Sequence, residues 1–273
     1  MPFTLRAVSL AKLLREALAV YRSHFFLFLG ISAVPSLLLL MLQLALERVP
    51  AGRPHHPETL GLLAALGIWL ASLFSSSITT AATTIAVSDI YTDRLPDMWE
   101  SFARLTGKAW RIVLAALLVE IYVSLGALFL LVPGIYFAGI YGLTIPVVAL
   151  ENLGPKKAMD RSEHLSKDSA GRIILVYFLT AVLTGILVAM LNAGADYLGW
   201  ASPSYHGILS KHLLNLVTAA IGGIVFGPIS AIALALEYYD LRSRFEGFDL
   251  HQLRALMMTP DALPAKNYAD VNS

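Results

Sequence analysis

Apolar and polar positions alternate along this chain on a scale of about twenty residues, which is the period of a polytopic membrane protein. Six predominantly apolar runs stand out, at approximately 24–46, 60–90, 112–132, 134–150, 173–198 and 207–236. A helix rising about 1.5 Å per residue needs roughly 20 apolar residues to cross about 30 Å of hydrocarbon. The third and fourth runs are separated only by Pro133-Gly134, a turn dipeptide, so they are expected to form a tight hairpin with almost no loop. The fourth run is short and carries Pro146, which predicts a tilt or a kink and leaves a re-entrant, five-span version open.

The polar segments between the runs are themselves patterned. In the first, Leu10, Leu14, Ala17 and Tyr21 form one stripe and Ser9, Lys12, Glu16 and Ser23 another. In the second, Met98, Phe102, Leu105 and Ala109 repeat at helical spacing after Pro96. A weaker stripe of Ala158, Met159 and Leu165 follows Pro155 in the third. Such segments read as amphipathic helices lying in the headgroup region with their apolar faces down. The N-terminal one, interrupted by Lys12, Arg15, Glu16 and Arg22, does not read as a cleaved signal and is expected to stay with the chain.

A threefold pattern emerges. Units 7–92, 96–153 and 155–247 each consist of an amphipathic helix, an outgoing span and a returning span. Arg22, Arg111 and Arg172 open the outgoing spans, and the strings Arg111-Ile-Val-Leu114 and Arg172-Ile-Ile-Leu175 nearly coincide. Asp89, Glu151 and Glu237 close the returning ones. These arginines and acids either pair with one another at the membrane surface, or are independently solvated under the positive-inside rule. The predicted fold is all-α: a polytopic membrane protein of about six transmembrane helices, arranged as three hairpins, each preceded by a cytoplasmic amphipathic helix. Residues 1–250 form a single membrane domain. The polar tail 251–273 is expected to be partly disordered.

Composition sharpens this picture. Only 14% of residues are charged and 57% are hydrophobic, against roughly 25% charged in soluble domains. Seventeen of the twenty Lys and Arg residues flank one side of the six runs; only Arg48, Arg53 and Lys211 flank the other. That asymmetry predicts a multi-pass protein of the cytoplasmic (inner) membrane with both termini cytoplasmic. The net charge of +1, spread over short loops, gives no basis for nucleic-acid binding. Without cysteine, disulfides and thiolate chemistry are excluded.

Candidate chemistry is sparse. Glu120 lies well inside the third run, where a carboxylate faces a polar interior or a partner. The second run is rich in hydroxyls, among them Ser76, Thr80 and Thr83, which together with Glu120 outline a possible intramembrane polar site. The same residues also serve plain helix packing, since small hydroxyl side chains let helices approach and hydrogen-bond. Asn192, Asp196, Lys211 and His212 gather toward the outer end, and Gly222, Gly223, Gly227 and Pro228 predict close packing with a bend in the last run. No HExxH pattern, phosphate-binding loop or Gly-x-Ser-x-Gly elbow occurs, and the exposed pair His55-His56 is weak evidence for a metal. No catalytic residue, metal site or cofactor is therefore assigned, and the chain is not expected to be an enzyme.

Two stretches carry a family resemblance. One is Leu131-Val-Pro-Gly-Ile-Tyr136, followed by Ile145-Pro-Val-Val-Ala-Leu-Glu151 and Ala158-Met-Asp-Arg-Ser162; the other runs from Tyr238-Tyr-Asp-Leu-Arg242 through Ser-Arg244 to Gly247-Phe-Asp-Leu250. Together they resemble the bacterial membrane domain of glycerophosphoryl diester phosphodiesterases and related inner-membrane proteins. Some members fuse this domain to a catalytic barrel, for which no segment here is long enough, so the resemblance implies architecture and no hydrolase activity. Within the second stretch, Asp240 with Arg244 and Arg242 with Glu246 are spaced to meet on a helix surface, before a stop at Gly247. These pairs, like Arg22, Arg111 and Arg172, are candidate contacts for lipid headgroups or a cytoplasmic partner.

Two functional classes follow. The first is a non-enzymatic module that binds or organises membrane lipids, a partner protein or a second copy of itself. The second is a small transporter or permease using Glu120.

Overall fold

The computed structural model describes residues 10–47, 57–197 and 211–246. His55-His56, Arg48, Arg53, Gly247 and the tail lie outside that range, as does the side chain of Glu246. The described residues form helices and connecting turns, with no strand among them. Six stretches are long and apolar enough to cross a membrane: Phe25–Leu46, Gly61–Tyr91, Ala109–Phe129, Leu131–Glu151, Ala170–Tyr197 and Lys211–Phe245. The protein is an all-α, multi-pass membrane bundle.

Helix α1 (Leu10–Ser23) leads into α2 (Phe25–Glu47) across His24 alone. Bonds from His24 N to Val20 O and from Phe28 N to His24 O, both 3.2 Å, carry the helical ladder across that residue. Helix α1 therefore runs on into α2 across a single residue. Its apolar stripe, Leu13, Ala17 and Tyr21, is buried in the protein core and packs toward the last helix. The picture of a helix with its apolar face laid on lipid is replaced by one of a helix docked on protein.

Helix α3 (Pro57–Tyr91) returns and gives way to the short α4 (Met98–Ala103), whose first turn is capped by the Asp97 carboxylate accepting from Glu100 N at 2.8 Å. Helix α5 (Ala109–Phe129) then runs out and α6 (Leu131–Ile140) turns back. The reversal falls at Leu130, whose backbone is extended at φ −158° and ψ 139°, and not at Pro133-Gly134. Pro133 sits in the first turn of α6, where no intrahelical bond is lost by its missing N–H. Gly134 serves helix contact: a Cβ there would stand 2.7 Å from Ala127 N, and one on Gly126 would stand 2.9 Å from Gly134 N. The two backbones touch because both positions lack side chains.

The fourth span is broken. Helix α6 stops at Ile140 and α7 (Thr144–Glu151) restarts after three intervening residues, so the interruption precedes Pro146. The backbone groups freed there are met by α8 (Pro155–Ser166). Ser162 Oγ donates to Ile140 O at 2.8 Å and accepts from Leu143 N at 3.2 Å, and Ser166 Oγ donates to Ile140 O at 2.6 Å. Both serines are fully buried, so no bulk water is available to do this work.

Helices α9 (Ala170–Tyr197) and α10 (Lys211–Glu246) complete the bundle. Pro228 supplies no N–H to the Ile224 carbonyl four residues earlier. Ser32 of α2 approaches that carbonyl at 2.8 Å, and Tyr21 donates to the neighbouring Val225 O, also at 2.8 Å. The proline in α10 is thus accommodated by side chains from the first two helices.

The main buried cluster lies at one end. It draws on Leu13 and Tyr21 of α1, Phe28 of α2, Val87 of α3, Ile112 of α5, Val147 of α7, Leu165 of α8, Ile173 of α9 and Tyr238 of α10. We term this the basic end. Toward the far end α3 exposes Leu62, Leu66 and Phe74, and α2 exposes Leu38 and Met41, as expected of surfaces solvated by lipid.

Candidate functional site

The charged residues at the basic end build a network that ties the helices together. Asp89, only 2% exposed at the end of α3, is bonded by Arg104 from the turn after α4, which also approaches Glu100 at 3.5 Å. Glu151, at the end of α7, receives Arg161 of α8 at 3.3 Å and the Tyr238 hydroxyl of α10 at 2.8 Å. Arg242 in turn donates to the Tyr238 hydroxyl at 2.9 Å. Glu237 is 1% exposed and has Arg172 of α9 at 2.8 Å. Arg172 also reaches Asp240 at 3.3 Å, and Asp240 pairs with Arg244 one turn later.

Among the three opening arginines, then, Arg172 meets the acid of its own unit. Asp89 and Glu151 instead meet an arginine from the amphipathic segment that follows them. Arg104 and Arg161 carry no sequence signal beyond lying near those acids across a turn, so reading along the chain did not single them out. Arg111 contacts no carboxylate among the described residues; its guanidinium lies 3.3 Å from Asn152 O and 3.4 Å from Asn152 Oδ1. Arg22 stands at the end of α1 with no ion pair among the described residues.

The intramembrane candidates are less connected. Ser76 and Thr80 donate to carbonyls of their own helix, Leu73 O at 3.1 Å and Ser76 O at 2.9 Å. Thr83 is fully buried and its hydroxyl has no partner among the described residues. Glu120 is half-buried and forms no hydrogen bond or ion pair among them. Counting about 1.5 Å per residue from Arg111 places Glu120 roughly 13 Å along α5, and Thr80 stands at a similar distance from Asp89 on α3. No bond joins these residues into one site.

One feature of the basic end was not foreseen. Arg104, Gly107, Lys108, Arg111 and Asn152 line an open cleft of about 350 Å³ at the start of α5. Lys108 occupies the N-cap position without a side-chain cap, and the amides of Ala109 and Trp110 have no acceptor among the described residues. Lys108 Nζ donates to Ala149 O at 2.8 Å. Its pKa is lowered, first by burial and then by the neighbouring Arg104 charge. Asn152 ends α7 in the left-handed conformation, φ 54° and ψ 28°.

No family model, curated protein or solved structure matches the chain. What stands is the multi-pass helical architecture and the geometry of its two ends.

Proposed function

We propose that this protein is a non-enzymatic module of the cytoplasmic membrane that binds and organises membrane lipids at its basic end, with both termini cytoplasmic. The observation that carries the reading is the surface of that end: Trp110, 59% exposed, carries the Arg111 guanidinium 5.6 Å from its ring centre next to the cleft lined by Arg104, Lys108 and Arg111, and Trp99 on α4 is 65% exposed. Tryptophan rings prefer the headgroup level, and clustered cations there attract anionic lipids. The strong Lys and Arg asymmetry and the lack of a catalytic motif support the same reading. The resemblance to the phosphodiesterase membrane domain agrees with it, while adding no activity.

Native mass spectrometry of the protein extracted gently from its membrane tests the proposal. Retention of an anionic lipid at fixed stoichiometry is expected. Release of every lipid class with equal ease would refute it.

A second reading rests on Glu120, a carboxylate about halfway along α5 with no partner among the described residues. A proton-coupled carrier built on it loses flux in Glu120→Gln. Undiminished flux in that variant removes this reading.

A further inference from the structure

We propose that the cleft at the start of α5 is a binding site for one phosphate group, carried by a phospholipid headgroup or by a soluble phosphate ester. The proposal deepens the lipid-binding reading above and rests on it for the lipid source.

Four features converge on an anion of this shape. Three cations, Arg104, Lys108 and Arg111, line one cleft. Arg104 is committed to Asp89 and Glu100, whereas no carboxylate lies within ion-pair distance of Lys108 or Arg111 among the described residues. Their present contacts, to Ala149 O and Asn152, use only part of their hydrogen-bonding capacity, since an ammonium has three donors and a guanidinium five. Finally, the unpartnered amides of Ala109 and Trp110 open a 21-residue helix beside these cations. A tetrahedral oxyanion accepts from such amides and cations together, and it is favoured by the positive end of the helix dipole.

The cleft also explains why an anion is wanted there. Lys108 stands next to Arg104 in a partly buried position, and burial first, then the Arg104 charge, lower its pKa. A bound phosphate offsets both the burial and the like-charge repulsion. Trp110 stands exposed beside the site with the Arg111 guanidinium 5.6 Å from its ring centre, which suits a phosphate at the depth of lipid headgroups.

Gly107 gives a clean test. It lines the cleft, and a Cβ there meets nothing within 4 Å, so a substitution leaves the existing bonds intact. The delipidated full-length chain in neutral detergent is titrated with phosphatidylglycerol, with diacylglycerol and with sodium phosphate, and bound adducts are read by native mass spectrometry. Wild type is expected to take up one tight phosphate-bearing ligand and no diacylglycerol at this site. Gly107→Asp is expected to weaken that binding at least tenfold, while Gly107→Asn stays within threefold of wild type. Lys108→Gln combined with Arg111→Gln is expected to match the aspartate variant. Lys156→Gln with Lys157→Gln removes the same charge from exposed positions on α8 and is expected to leave binding unchanged.

Displacement of the lipid by sodium phosphate assigns the site to soluble phosphate esters, and failure to displace assigns it to headgroups. Wild-type binding by Gly107→Asp overturns the site, as does equal loss in the α8 control pair. Selective lipid retention that survives Gly107→Asp sinks the site alone. Phosphate uptake without any lipid selectivity instead sinks the lipid-organising function and leaves the site standing.

Discussion

Replacing Ser162 with alanine isolates what holds the broken fourth span together. The hydroxyl joins two backbone groups, Ile140 O and Leu143 N, across the gap between α6 and α7. After Ser162→Ala, Ile140 O keeps Ser166 at 2.6 Å, but Leu143 N has no other acceptor among the described residues. Leu143 and Ser162 are both fully buried, so water is a poor replacement. An orphaned buried N–H costs about 1–3 kcal/mol and a lost neutral bond about 1 kcal/mol, which predicts a destabilisation of roughly 2–4 kcal/mol. Equilibrium unfolding in mixed micelles reads this directly. The control is Ser76→Ala, whose hydroxyl only doubles up on a carbonyl of its own helix, and which is expected to stay within about 0.5 kcal/mol of wild type. Equal effects from the two substitutions would refute the argument that α8 stitches the break.

Three further outcomes are expected. Arg172→Ala leaves Glu237 buried without its 2.8 Å cation and should cost about 3–5 kcal/mol; adding Glu237→Leu should recover most of it, and absence of coupling in that cycle would contradict the pairing. Gly134→Ala drives a methyl to 2.7 Å from Ala127 N and should cost about 1–3 kcal/mol, whereas Gly185→Ala, with nothing within 4 Å, should be neutral or stabilising by up to about 1 kcal/mol; the reverse order would overturn the close-packed hairpin. Because burial, and then the Arg104 charge, lower the pKa of Lys108 in the fold, the cost of charging it is present in full below the folded-state pKa and is released as pH rises from there to the ordinary lysine value of 10.5. Wild type should therefore gain stability relative to Lys108→Met across that window, and a pH-independent difference would count against the assigned burial.

The spans were legible because apolar run length is a local property: each of the six begins within about four residues of its expected place, although the last runs on to Phe245, well past the expected end at 236. The turn of the second hairpin was misplaced because Pro133-Gly134 has two physical uses. Proline fits a first helical turn as well as a loop, and Gly134 is needed where α5 presses on α6. The break in the fourth span was expected as a kink at Pro146, yet it depends on Ser162 and Ser166, about twenty residues further along. The amphipathic stripes were visible in sequence, but periodicity alone does not say whether lipid or protein covers them. Arg172 with Glu237 came from a repeat in the sequence; Arg104 with Asp89, Arg161 with Glu151 and the Lys108 cleft came from helix packing. Side-chain partners across a turn are a tertiary fact, and no local pattern encodes them.

The contacts made by Tyr21 and Ser32 have a consequence for how the protein is made. Their acceptors, Val225 O and Ile224 O, lie 204 and 192 residues downstream. Helices α1 and α2 therefore wait, with a buried-type tyrosine and serine uncovered, until α10 has been synthesised. Closure of the bundle becomes a check on completeness. A chain released before α10 exists leaves the inner face of α1 open, and with it Leu13, Ala17 and Tyr21, which the folded bundle keeps covered.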